Sequence, residues 1–166
     1  MKVFNVVKNT SKTLLTLPLL PLSMVKLEGF NFPEDLYYHR EHMWVKVEGD
    51  KVRVGYNDWA QKAAGKLLSL KTKRPGAPVE MGKTLGSIES GKWVGSLKVP
   101  VSGELVQLNE DVLKTPNLIN SDPYGKGWVA IIKPSKLQDE LKTLISGKDT
   151  AGLEAWLKEE RAKAKQ

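Results

Sequence analysis

Thr84-Leu-Gly-Ser-Ile-Glu-Ser-Gly-Lys-Trp-Val-Gly-Ser-Leu-Lys-Val-Pro-Val-Ser-Gly103 decides the fold, because it sets one lysine, Lys92, between two apolar, strand-like runs. Pro100 and Gly103 close the second run, so the stretch reads as strand, tight tip, strand and turn. A single lysine is ordinarily a solvated charge. Here its neighbours Ser90 and Gly91 are small, leaving a modifying enzyme room to reach the amine, and the paired strands hold the tip away from the body. An amine so placed is an attachment point for a prosthetic group. Lys98 is the nearest competitor, but it alternates with Leu97 and Val99 and reads as a strand residue.

Outward from that hairpin the chain continues in short strands. Met43-Trp-Val-Lys-Val, a turn at Glu48-Gly-Asp50 and Lys51-Val-Arg-Val-Gly55 alternate with period two and predict a second hairpin. Asn57 or Asp58 caps a short predicted helix, Trp59 to Ala64, ended by Gly65, with Ala60, Ala63 and Ala64 small enough for close packing. Leu67 to Lys71 and Glu104 to Leu108 are further strands, and Asp111 to Lys114 makes one helical turn. A turn-rich loop, Asn120-Ser-Asp-Pro-Tyr-Gly-Lys-Gly127, feeds a strand over Trp128 to Ile132. Two C-terminal helices follow. Ser135 with Gln138 forms a capping box for the first, which carries Leu137, Leu141 and Leu144 on one face and stops at Gly147. Leu153, Trp156 and Leu157 give the second an apolar stripe, with a fraying end from Lys158 to Gln166.

Composition narrows the chemistry. With 40% hydrophobic and 27% charged residues in 166, the chain has enough apolar content for one compact domain and is too polar for a membrane protein. It has no cysteine, which excludes disulfides, cysteine nucleophiles, iron–sulfur clusters and thiolate zinc sites. Any redox sulfur must arrive on a cofactor or a partner. His39 and His42 alone make a poor metal site and read as surface or partly packed histidines. The net charge of +7 favours acidic partners. Its richest cluster, Lys71-Thr-Lys-Arg74, precedes Pro75-Gly76 and lacks interleaved aromatics, which argues against nucleic acid. Ala77-Pro-Val-Glu-Met-Gly-Lys-Thr84 ends like a phosphate-binding loop but lacks the first glycine, contains a proline and is followed by strand alternation. No nucleophile elbow, histidine dyad or paired carboxylate stands out, and a prosthetic-group carrier would need none of them.

The Lys92 segment resembles the lipoylation site of the glycine cleavage H-protein family, through Glu89, Ser90, Lys92, Pro100, Ser102 and Gly103. Tyr38 with His42-Met-Trp-Val, Val54-Gly-Tyr-Asn-Asp-Trp-Ala-Gln61 and Asn120-Ser-Asp-Pro-Tyr-Gly-Lys-Gly-Trp128 are similar to other segments of that family, in order. The resemblance implies a mainly β fold: a lipoyl-domain barrel-sandwich hybrid of antiparallel strands with short peripheral helices and C-terminal helices. It implies a covalent lipoate on Lys92, flanked by Glu89, Ser90, Gly91 and Trp93, on a swinging arm. The implied partners are a lipoate ligase or lipoyl transferase, glycine decarboxylase, aminomethyltransferase and dihydrolipoyl dehydrogenase, with neither nucleic acid nor membrane among them.

This chain departs from the glycine cleavage pattern at Gly91, Trp93, Gly95 and Ser96, and it is basic where those proteins tend to be acidic. Pro33-Glu-Asp-Leu-Tyr-Tyr38 and Glu-Ser-Gly-Lys-Trp-Val-Gly95 look more like the H-protein-like lipoate-binding proteins of sulfur oxidation. That subgroup would place a heterodisulfide-reductase-like complex among the partners. The reading leans to this subgroup, with glycine cleavage proper and an unlipoylated interaction protein as alternatives. Biotin is disfavoured, because Gly91 and Trp93 stand where the biotin family has methionines. The organisation expected is an N-terminal extension over 1–27, read equally as a start-site artefact or a targeting segment, a lipoyl-carrier domain over 28–134 and a helical extension over 135–166. In the first of these, Lys2, Lys8 and Lys12 precede an apolar run, Leu14 to Leu22, that Pro18 and Pro21 interrupt. It is too short to span a bilayer and lacks a cleavage site, so the expected location is cytoplasmic.

Overall fold

The computed structural model describes residues 23–164, so the apolar run from Leu14 to Leu22 lies outside the described residues. The chain first forms a hairpin, β1 (Met24–Leu27) against β2 (Phe30–Pro33), turning at Glu28 and Gly29 with φ of 54° and 87°. β1 belongs to the stretch read as extension, yet it pairs along its whole length with β2. β3 (Tyr37–Tyr38), β4 (Met43–Glu48) and β5 (Lys51–Tyr56) follow, and Val45 faces Val54 while Val47 faces Val52, as the period-two pattern requires. Gly55 is needed in β5 because the Trp44 ring crosses it; a Cβ there would come within 2.6 Å of that ring.

Asn57 caps α1 (Asp58–Ala64) by accepting from Ala60 N at 2.8 Å, and Gly65 ends the helix at φ 83°. β6 (Leu67–Thr72), β7 (Pro78–Val79), β8 (Thr84–Ser90), β9 (Val94–Lys98) and β10 (Gly103–Leu108) come next, then the one-turn helices α2 (Glu110–Lys114) and α3 (Leu118–Ser121). β11 (Ala130–Pro134), α4 (Leu137–Leu141), β12 (Ile145–Ser146) and α5 (Thr150–Ala164) complete the described chain. No described helix is long and apolar enough to cross a membrane.

The strands form two principal antiparallel sheets, in the orders β12-β3-β4-β5-β11-β10-β7 and β6-β8-β9. Val45, Val52, Val54, Leu105 and Ile132 of the larger sheet share one core with Leu67, Leu70, Leu85, Ile88 and Leu97 of the smaller. The mainly β, antiparallel architecture is thus the expected one, built as facing open sheets rather than a closed barrel. A second core joins Phe32, Leu36, Tyr38 and Trp44 to Leu153, Trp156 and Leu157 of α5. The C-terminal helix α5 therefore packs against residues of β2, β3 and β4.

The C-terminal region departs from its sequence reading in three ways. No side-chain hydrogen bond caps α4, whose N-cap is Lys136, and Ser135 is instead held by its amide on Ser102 O at 3.0 Å. The Glu140 carboxylate pins α4 to the body, accepting from Ser102 N and Oγ at 2.7 Å each. α4 stops at Leu141 rather than near Gly147, because Ile145 and Ser146 pair with Tyr38 and Tyr37 and finish the sheet edge. The expected fray does not begin at Lys158: α5 stays helical to Ala164, with Glu160 buried against His42.

Candidate functional site

β8 and β9 pair from Thr84 with Lys98 to Glu89 with Val94, leaving Gly91, Lys92 and Trp93 as the tip. Ser90 N donates to Trp93 O at 2.8 Å, closing the tip, and the buried Ser90 Oγ sits 3.4 Å from both Lys92 N and Trp93 O. A small hydroxyl under the tip thus ties down its backbone while Lys92 stays exposed. A Cβ at Gly91 would meet nothing within 4 Å, so this face of the tip is open.

Two grooves meet the tip and share Ala64. One, of about 460 Å³, is lined by Ala64, Gly65, Lys66, Leu68, Ser90 and Gly91 together with Lys92. The Lys92 stem lies along it: a Cβ at Gly65 would stand only 3.1 Å from Lys92 Cε. Gly65 therefore serves twice, by turning the chain at positive φ and by giving the lysine stem a flat floor. The other, of about 220 Å³, is lined by His42, Tyr56, Trp59, Ala60, Ala63, Ala64 and Trp93. Trp93 is its outer wall, and its ring lies over Gly95, where a Cβ would overlap it. The helix alanines supply the floor, which is the close packing their small size allows.

One hydrogen-bonded residue fixes this floor. Asn120 Oδ1 accepts from Leu67 N at 2.9 Å, while Nδ2 donates to Gly65 O at 2.9 Å and to Gln61 Oε1 at 3.0 Å. The end of α1 and the start of β6 are locked together by a side chain from α3, in the segment the sequence reading took as loop. On the far side, His42 is stacked between Trp59 and Trp156 at centroid distances of 4.9 and 5.2 Å, with Nε2 3.2 Å from Glu160 Oε2. Burial lowers its pKa from the ordinary 6.5, against the raising pull of Glu160. Burial also pushes the Tyr56 hydroxyl up to about 12.

Of the residues singled out by sequence, Ser90, Gly91 and Trp93 gather around Lys92, whereas Glu89 projects from β8 opposite Ser69 and Val94. Sequence reasoning missed Leu68, Tyr56, Trp59 and Asn120 as parts of the site. The clustered alanines before Gly65 were the available signal for a close approach; Asn120 opened a segment similar to the family, but nothing local tied it to Leu67 or Gly65. His42, read as surface or partly packed, has a side chain only 14% exposed.

A family model described as Glycine cleavage H-protein matches residues 36–158. Among curated proteins, the chain is 44% identical over 128 residues to the probable glycine cleavage system H protein 2 of Sulfolobus acidocaldarius, covering 75% of this chain and 85% of that one. It is 44% identical over 123 residues to glycine cleavage system H protein 2 of Aquifex aeolicus, covering 73% and 76%. Among solved structures, it is similar to a glycine cleavage system H protein from Mycobacterium marinum, with a TM-score of 0.64 and 31% identity over 74% of this chain and 98% of that one.

Proposed function

This chain belongs to the glycine cleavage H-protein family, and we propose that Lys92 is the residue through which it carries its lipoyl group. Members of the family bear a covalent lipoate on a lysine and serve partner enzymes without catalysing a reaction themselves. The observation that carries Lys92 is its position: an exposed amine at the tip of a hairpin whose backbone is closed by Ser90. Gly91 leaves the approach open and Gly65 supplies the floor for the stem. To form the amide, Nζ must lose its proton and attack the acyl carbon of an activated lipoyl donor, whose bond to the activating group breaks as that group leaves. The ammonium becomes a neutral amide, so one positive charge is removed. Lipoate, once attached, supplies the reversible disulfide that this cysteine-free polypeptide lacks.

In this reading 28–134 form the carrier unit and 135–166 an extension that closes its second core. Within the family we favour sulfur chemistry, with a heterodisulfide-reductase-like complex as partner and a cytoplasmic location. Trp93 and Gly95 support it: together they place an indole beside the attachment point, where a partner enzyme must fit. The glycine cleavage reading, with its decarboxylase, aminomethyltransferase and dihydrolipoyl dehydrogenase, accommodates the same residues and agrees with the names of the relatives. Presenting the loaded chain to both sets of enzymes would separate the two.

Intact mass of the protein from its own organism, with fragmentation, tests the attachment residue. One lipoyl group on Lys92, absent from Lys92→Arg, is the expected result. An unmodified Lys92 across growth conditions would sink the proposal in favour of an interaction protein.

A further inference from the structure

Charge is unevenly distributed along this chain. From Gly65 to Gly103, seven lysines and arginines stand against two glutamates, a net +5 of the whole chain's +7. That segment supplies all three strands of the smaller sheet. On the sheet's solvent-facing side, the register sets Ser69, Glu89 and Val94 in one row and Lys71, Ser87 and Ser96 in the next, with Lys98 opposite Thr84 beyond them. Among the described residues, five large apolar side chains are exposed, and three of them, Leu68, Trp93 and Val94, flank the Lys92 tip. Interfaces commonly combine an apolar centre with a charged rim that steers the encounter and rejects partners of like charge. Here the centre is apolar and the surrounding charges are Lys66, Lys71 and Lys98, opposed on these strands by Glu89 alone.

We propose that this face is the docking surface for an enzyme that acts at Lys92 and presents a carboxylate-rich rim around an apolar patch. The inference rests on Lys92 as the attachment residue and deepens that reading by naming the chemistry of the partner's surface. The enzyme that forms the amide is the occupant to test, because its active site must reach Nζ itself. Lys71 is exposed and Lys98 half-buried, its Nζ 3.5 Å from Thr84 Oγ1, and both stand outside the core, so their charge can be reversed without opening it.

The experiment uses the full unmodified chain and the lipoate-attaching enzyme of the source organism, supplied with its activated lipoyl donor. Lys71→Glu/Lys98→Glu should raise KM about tenfold with kcat unchanged, and should weaken the rise in KM between about 20 and about 300 mM salt. Lys136→Glu/Lys148→Glu, which changes net charge equally but lies outside this segment, should leave KM within about twofold. Equal effects of the two pairs, an unchanged KM, or a KM lowered by reversal at the sheet would overturn the docking face while leaving Lys92 modified. Self-association of the unmodified chain through this face, seen by sedimentation and lost in the Lys71/Lys98 variant, would also overturn it. A wild-type chain that is never modified at Lys92 would instead remove the reading beneath it.

Discussion

His42 is held in the left-handed region, at φ 76°, where a side chain is normally disfavoured. Its surroundings over-determine the conformation: two indoles hold the ring, Glu160 binds Nε2, and the backbone oxygen accepts from Asn57 N at 3.0 Å. Nδ1 is buried without a hydrogen-bond partner among the described residues. Burial disfavours the imidazolium more than Glu160 and Glu41 favour it, and Lys163 adds to the lowering, so the folded-state pKa lies below 6.5. The unfolded chain therefore binds the proton more readily. Stability should be flat above 6.5 and fall as pH drops from there toward the depressed value, with His39 contributing in the same direction. Thermal unfolding across roughly pH 5 to 8 should show this slope, and His42→Gln should flatten most of it. A wild-type chain that gains stability on acidification through this window would contradict the assignment.

At the scale of elements, the site depends on how α1 meets β6. Asn120 supplies that junction, so Asn120→Ala should cost about 1–3 kcal/mol, because Leu67 N and Gly65 O both lose their partner. Urea denaturation measures the cost, and faster hydrogen exchange at Leu67 would localise it. A loss well under about 0.5 kcal/mol would mean that water replaces the amide. This junction also marks the limit of sequence reading. The Lys92 hairpin and the Met43 to Gly55 hairpin were legible because period-two alternation and turn residues lie within a few positions of each other. The two grooves were not, because Tyr56, Trp59 and Trp93 of one and Leu68 of the other come together around Ala64 with no local pattern to link them. The α4 capping box failed for the same reason: Glu140 and Ser102 are 38 residues apart, and their pairing overrode a local cap.

For the molecule as a whole, the second core makes α5 part of the body. Trp156 is 1% exposed, makes edge and tilted ring contacts with Phe32 and Tyr38, and donates from Nε1 to Arg40 O at 3.2 Å. Trp156→Ala should lower the unfolding free energy by about 3–5 kcal/mol. Arg161→Ala, which breaks an exposed pair with Glu28, should cost less than about 1 kcal/mol. Similar costs from the two would indicate that surface charge, not apolar burial, holds the helix. The smaller sheet raises a different issue, because among the described residues β6 and β9 each pair with β8 alone. A strand edge without a paired neighbour is a template for another chain, and apolar Leu68 and Val94 would reward such pairing. Lys71 and Lys98 stand on those two edges, so the cations that face a partner also make copies of this protein repel one another. Substituting them with neutral residues would remove that repulsion, and edge-to-edge aggregation would bury the tip on which the carrier depends.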